Sequence, residues 1–210
     1  MIFRHKYISK RIRLSCLILA ALLLLATFTP PASAHPHVFV DYGITFVFDQ
    51  QGLAGIAMEW AFDEMFTQML LDEGDLNRDR HFDQREIAGI KTGAFDNLAN
   101  HAWFTHLLVN GQPYPIKKTT NFSAFLKDGQ AHYSFFIPCP VAAGETPQKI
   151  SLTLYDPTYY TDLSLISEGV DYRGPIDRYH PRHEETLAQE VGFTNAPLLP
   201  DGILLEFNVQ

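Results

Sequence analysis

The chain has 210 residues, with 16 Lys and Arg against 24 Asp and Glu, and a formal charge of −8. Such a balance repels nucleic acid and anionic lipid and favours cations as ligands. Five of the 16 basic residues and none of the 24 acids lie in residues 1–34, which leaves 11 against 24 in the remainder, a formal charge of −13.

Residues 1–34 have the three parts of a cleavable signal peptide in order. Arg4, Lys6, Lys10, Arg11 and Arg13 form the basic region, Leu14 to Phe28 the apolar run, and Ala32-Ser33-Ala34 the small-residue cleavage site. The run stops at Pro30-Pro31, short of the roughly 20 residues that a bilayer-spanning helix needs. Cys16 opens the apolar run and does not follow it, which argues against lipoprotein processing. Cleavage would leave Cys139 as the lone cysteine, so an intramolecular disulfide is excluded. Flanked by Pro138 and Pro140, it reads as a small buried hydrophobe. The expectations are a periplasmic or secreted protein, no stable membrane insertion after cleavage, and a single domain over residues 35–210.

From Val38 to Phe48 the chain is rich in β-branched and aromatic residues, Asp49 to Gly52 supplies a turn, and Leu53 to Phe62 returns as a second strand. Asp63 to Leu71 then carries Met65, Phe66, Met69 and Leu70 at helical spacing. Arg85 to Trp103 does the same with Ile87, Ile90, Phe95, Leu98 and Ala102, so a helical hairpin is predicted at about 63–103. Asn110-Gly111 and Asp128-Gly129 signal two hairpins, the first joining Leu107–Val109 to Tyr114–Lys117 and the second Phe122–Leu126 to His132–Ile137. Ile150 to Tyr155 alternates, Gly202 to Val209 closes the fold, and residues 167–200 show no period and read as a long excursion or arm. The predicted class is α+β, mainly an antiparallel β-sandwich with the helical hairpin inserted.

The linker between the helices, Asp75 to Glu86, places oxygen-bearing side chains at positions 1, 3, 5, 9 and 12 of a 12-residue loop. This is the EF-hand pattern, in which alternate side chains of a short loop supply the six to eight oxygens that calcium takes. Asp75, Asn77, Asp79 and Glu86 are the expected side-chain ligands, His81 would give its carbonyl, and Asp83 would act through water. Position 6 normally holds Gly because the turn needs positive φ; Arg80 stands there, at a cost of about 1 kcal/mol. A solvated acidic linker is the alternative.

Cleavage after Ala34 would free the α-amine of His35, two residues before His37. One amine and two imidazoles suit copper, nickel or zinc, while Pro36 excludes binding through deprotonated backbone amides. His180 and His183, with Glu184 and Glu185, form a second nitrogen and oxygen cluster, equally readable as an exposed charged loop. His101, His106 and His132 read as structural, and Asp156 as a turn former. Nucleophile-elbow, zincin and phosphate-loop motifs are absent, so no enzyme activity is expected.

Ala34 to Asp41 (AHPHVFVD), Trp60 to Glu64 (WAFDE) running into the EF-like loop, and Tyr155 to Tyr160 (YDPTYY) together resemble the bacterial exported proteins of unknown function 1007. The resemblance covers most of the chain after residue 34. It implies a periplasmic component of an uncharacterised transport system that accompanies nickel/cobalt-type permeases, and it brings no catalytic residues. Members often have Gly where Arg80 stands. The combined expectation is an accessory protein that binds zinc, nickel, cobalt or copper for an inner-membrane metal permease or ABC-type transporter, with a structural calcium loop. The rival is a calcium-stabilised structural or interaction module in which the His pair is incidental; a copper enzyme sharing those ligands is a third reading.

Overall fold

The computed structural model describes residues 37–196 and 199–209. The leader expected at 1–34 and His35 lie outside the described residues. Among the described residues, ten strands form two five-stranded sheets, with two α-helices and short 3-10 segments between and beside them. One sheet has the order β5-β6-β2-β1-β8, from β1 (Val38–Phe48), β2 (Gly52–Phe62), β5 (Thr120–Lys127), β6 (Gln130–Ala142) and β8 (Thr161–Arg173). The other has the order β4-β3-β7-β10-β9, from β3 (Thr105–Val109), β4 (Gln112–Pro113), β7 (Gln148–Leu154), β9 (Arg182–Leu187) and β10 (Asp201–Phe207).

The two sheets share one aromatic-rich core, in agreement with a sandwich. Strand β1 buries Val38, Val40, Tyr42, Ile44, Phe46 and Phe48, every second residue, as the pleat dictates for a one-sided core. Phe48 meets Phe207 of β10 edge-to-face with ring centroids 5.1 Å apart, and Trp60 of β2 stacks on Phe104 at 6.3 Å. Antiparallel pairing dominates, with one exception to the expectation: β1 and β8 run parallel, Val38 opposite Thr161 and Val47 opposite Arg173. Both β8 and β9 arise from residues 161–187, where no strand was expected. Gly52, at φ 146°, opens β2 where any Cβ would stand 2.3 Å from the Val141 carbonyl oxygen, so only glycine fits.

Between β2 and β3 lie α1 (Glu64–Gly74) and α2 (Gln84–Gly93), the predicted hairpin. Asp63 caps α1 by accepting the Phe66 N–H, and Asp83 with Glu86 forms a reciprocal capping box on α2. The second helix is shorter than its periodicity suggests. After Gly93 the chain passes into a 3-10 segment, Phe95–Phe104, and Ala102, Trp103 and Phe104 take positive φ to drop Phe95, Trp103 and Phe104 into the core. Among the described residues no helix is long and apolar enough to cross a membrane.

Candidate metal centre

Capping and turn chemistry wind the segment joining α1 to α2 around its own carboxylates. Asp75 sits at the C-terminal end of α1, buried, and its two oxygens accept the N–H groups of Asp79 (3.2 Å) and Arg80 (2.8 Å). Asn77 Oδ1 accepts from Asp79 N–H at 2.9 Å and Asp79 Oδ1 from His81 N–H at 2.8 Å, two successive Asx turns. Arg80 adopts φ 60°, the left-handed conformation expected at the sixth position, and Arg78 does too. Phe82 is buried and carries the loop's apolar contact into the core.

Glu86 behaves differently from a closing calcium ligand. It is buried; Oε1 accepts from Leu76 N–H at 2.8 Å and Asn77 N–H at 3.3 Å, and Oε2 from Asp83 N–H at 2.9 Å. This side chain therefore ties the end of the loop to its beginning. The donor set, three carboxylates and an amide, suits a hard cation, but Glu86 Oε1 already accepts two N–H bonds and has no lone pair to spare as it stands. Among the described residues, however, no three His, Cys, Asp or Glu side chains converge as a metal shell. Asp83 accepts from Arg85 and Glu86 N–H, which serves the helix cap.

Among the described residues, the candidate nitrogen ligand His37 is not brought together with His180 and His183. His37 stands at the entry to β1, its N–H donating to the Tyr160 carbonyl at 2.9 Å and its ring 5.1 Å from the Tyr160 ring. His183, on β9 of the other sheet, meets the far end of the β1–β8 ladder: its Nδ1 is 2.6 Å from the Tyr172 hydroxyl, and Tyr172 pairs with Phe46. Nine residues of strand at about 3.3 Å each separate the two positions by about 30 Å. His183 Nε2 also meets Glu185 at 3.4 Å, making a Tyr–His–Glu chain between β8 and β9, while His180 is exposed at φ 42°. Burial pushes the pKa of the Tyr172 hydroxyl up to about 12, so it stays protonated at neutral pH.

Two arrangements escaped the sequence reading. His132, taken as structural, is buried with Nδ1 3.1 Å from Glu59, whose carboxylate also meets Lys127 at 3.4 Å. Met65 and Met69, expected on an apolar helix face, point away from the core, which Phe66, Leu70 and Leu71 face instead. The signal for the second was present, since four apolar residues at 65, 66, 69 and 70 cover more of the helix than one buried stripe uses.

Residues 20–188 match the family model described as protein of unknown function (DUF1007). An uncharacterised 15.5 kDa protein in the trpE 3' region of Spirochaeta aurantia is 33% identical over 102 residues, 48% of this chain and 71% of that protein. An uncharacterised protein of Haemophilus influenzae is 26% identical over 143 residues, 66% of this chain and 67% of its own length.

Proposed function

Since the chain belongs to the family described as protein of unknown function (DUF1007), we propose that it is an exported, non-enzymatic binding module stabilised by calcium and accessory to a membrane metal permease or ABC-type transporter. The observation that carries the calcium reading is the loop conformation: Asp75 receives the fifth- and sixth-position N–H groups, and Arg80 holds φ 60° against its steric preference. Successive Asx turns at Asn77 and Asp79 belong to the same winding, and an EF-type loop takes such a course when it presents its oxygens. Loading requires Glu86 to release the Leu76, Asn77 and Asp83 N–H groups and turn both oxygens inward. This cost, added to the strain at Arg80, sets the site among weak ones, at about 10⁻⁴–10⁻³ M as in extracellular modules. The test is calorimetric titration of the exported protein with calcium beside magnesium. Heat with calcium alone, lost in Asp75→Ala, supports the reading; silence up to tens of millimolar calcium ends it.

A second function, capture of zinc, nickel, cobalt or copper at the N-terminus, is favoured by the position of His37. Its backbone is pinned to Tyr160, so one imidazole is carried on the rigid start of β1 and not on a frayed end. With the α-amine and ring of His35 it would offer three nitrogens. His183 meets Tyr172 beside Phe46, about nine strand residues and so about 30 Å from His37, and would belong to a separate site. Titration of the protein against a variant with one residue added before His35 decides this: equal weak binding of all four metals by both forms removes the transport role.

A further inference from the structure

The outer face of α1 carries an apolar patch ringed by acids that the fold does not use. We propose that the groove between Phe39 and α1 is a docking site for a cationic, amphipathic segment of a partner polypeptide. Phe39, Met65 and Met69 are 51%, 64% and 43% exposed and line one open groove of about 780 Å³ with Asp63, Glu64, Gln68, Asp72 and Glu73. Met65 and Met69 are four residues apart and therefore share a helix face. Phe39 is fixed beside them, because its N–H donates to Asp63 Oδ2 at 2.7 Å and its carbonyl accepts the Asp63 N–H at 3.1 Å.

Three observations say what the groove takes. The core-facing side of α1 is already occupied by Phe66, Thr67, Leu70 and Leu71, so the methionines have no packing task within the domain. Methionine is the side chain that best adapts to a partner's irregular apolar surface. Among the described residues, four carboxylates line the groove and no Lys or Arg does. Asp72 and Glu73 moreover sit in the last turns of α1, at the negative end of its dipole, and that last turn has no basic residue. Cations from outside relieve that repulsion, whereas a second copy of this chain would set acids against acids across a two-fold contact. An apolar stripe beside Lys or Arg is the complement of this surface. The proposal depends on neither metal site.

The test uses the exported protein and synthetic helical peptides: one with Leu on one face and Lys on the other, one with Glu replacing Lys, and one with Ser replacing Leu. Calorimetry should show the Leu–Lys peptide binding, with an affinity loss of about tenfold or more both in Met65→Ser/Met69→Ser and in Glu64→Lys/Asp72→Lys, and about twofold or less in the remote Glu145→Lys/Glu184→Lys control. Amide shifts in NMR spectra should cluster at Phe39 and along α1. The proposal is overturned if the Leu–Lys peptide fails to bind, if the Lys–Ser peptide binds as well, or if the remote control loses as much affinity. Sedimentation as a dimer that the methionine variants dissociate would assign the groove to a second copy and overturn it equally. The substituted side chains are exposed, and unchanged circular dichroism and thermal melting verify that the variants fold.

Discussion

The carboxylate of Asp75 accepts the backbone N–H of Arg80 at 2.8 Å, and Arg80 holds φ at 60°. A side chain with a Cβ pays for that conformation, and the Asp75 bond is among the interactions that hold it. Arg80→Gly should therefore stabilise the protein by about 0.5–1 kcal/mol, the left-handed penalty less the extra chain entropy of glycine in the unfolded state. Urea midpoints measured without added calcium read this directly. Arg80→Ala keeps the Cβ and should leave the midpoint near wild type, so equal gains in both variants would assign the effect to charge and not to strain.

Glu86 holds three N–H groups, of Leu76, Asn77 and Asp83, from a buried position. Removing the acceptor leaves those donors unsatisfied, at about 1–3 kcal/mol each where water cannot reach. Glu86→Ala should lower stability by roughly 2–4 kcal/mol by this reasoning. Glu86→Gln retains one acceptor oxygen and should cost less than half as much without calcium. In calcium the order should sharpen, because Gln cannot supply the bidentate charge, and the wild type should gain stability that Glu86→Gln does not.

Strands β1 and β2 and the Asp128-Gly129 hairpin were legible because alternation and turn residues coincide there. Strand β8 was not, for a local reason: Tyr42 pairs with Leu165 and Ile44 with Val170, so residues 166–169 bulge opposite Gly43 and break the period. Strand β9, Arg182–Leu187, is a charged edge, and the residues that protect an edge from further pairing are those that make it look like a loop. Parallel pairing of β1 with β8 has no local signature at all. The positive φ at Arg80 follows from its sixth place in the twelve-residue spacing, but nothing in the spacing says that Glu86 bonds backwards to Leu76. The 3-10 descent after Gly93 likewise follows from burial of Phe95, Trp103 and Phe104, a tertiary demand that helical periodicity cannot reveal.

Tyr42 is fully buried and its hydroxyl has no hydrogen-bond partner among the described residues; burial, with Asp201 and Glu185 nearby, raises its pKa far above the usual range. A buried hydroxyl without a partner is a net cost. Tyr42→Phe should leave the fold intact and raise stability by up to about 1 kcal/mol, the sign opposite to most core substitutions. A loss above that size in thermal or urea unfolding would mean the hydroxyl is satisfied in solution.

Cys139 is fully buried in β6, and burial pushes its thiol up to about 12. A protonated, inaccessible thiol does not attack electrophiles. Iodoacetamide at about pH 8 should leave Cys139 unmodified in the folded protein and alkylate it fully in denaturant, as mass spectrometry reads. Rapid modification without denaturant would show that β6 opens locally.

His106 stacks on Tyr155 with ring centroids 3.9 Å apart, its Nε2 buried without a partner among the described residues. Burial lowers its pKa below 6.5, and a hydrogen bond with the Tyr155 backbone offsets part of the shift. The unfolded chain takes up the proton as the pH falls through about 6.5, while the folded protein resists until a lower pH. In that window the unfolded state binds more protons, so stability falls with pH, and the fall ends below the folded pKa. His106→Phe keeps a ring on Tyr155 and removes the proton, so its stability should fall less than wild type between about pH 6.5 and 5 and run parallel to it above about pH 7.5. Urea unfolding of both proteins across that range isolates the difference, since other titrating groups contribute equally to each. Parallel curves throughout would mean that His106 meets solvent in the folded state, which the buried Nε2 does not allow.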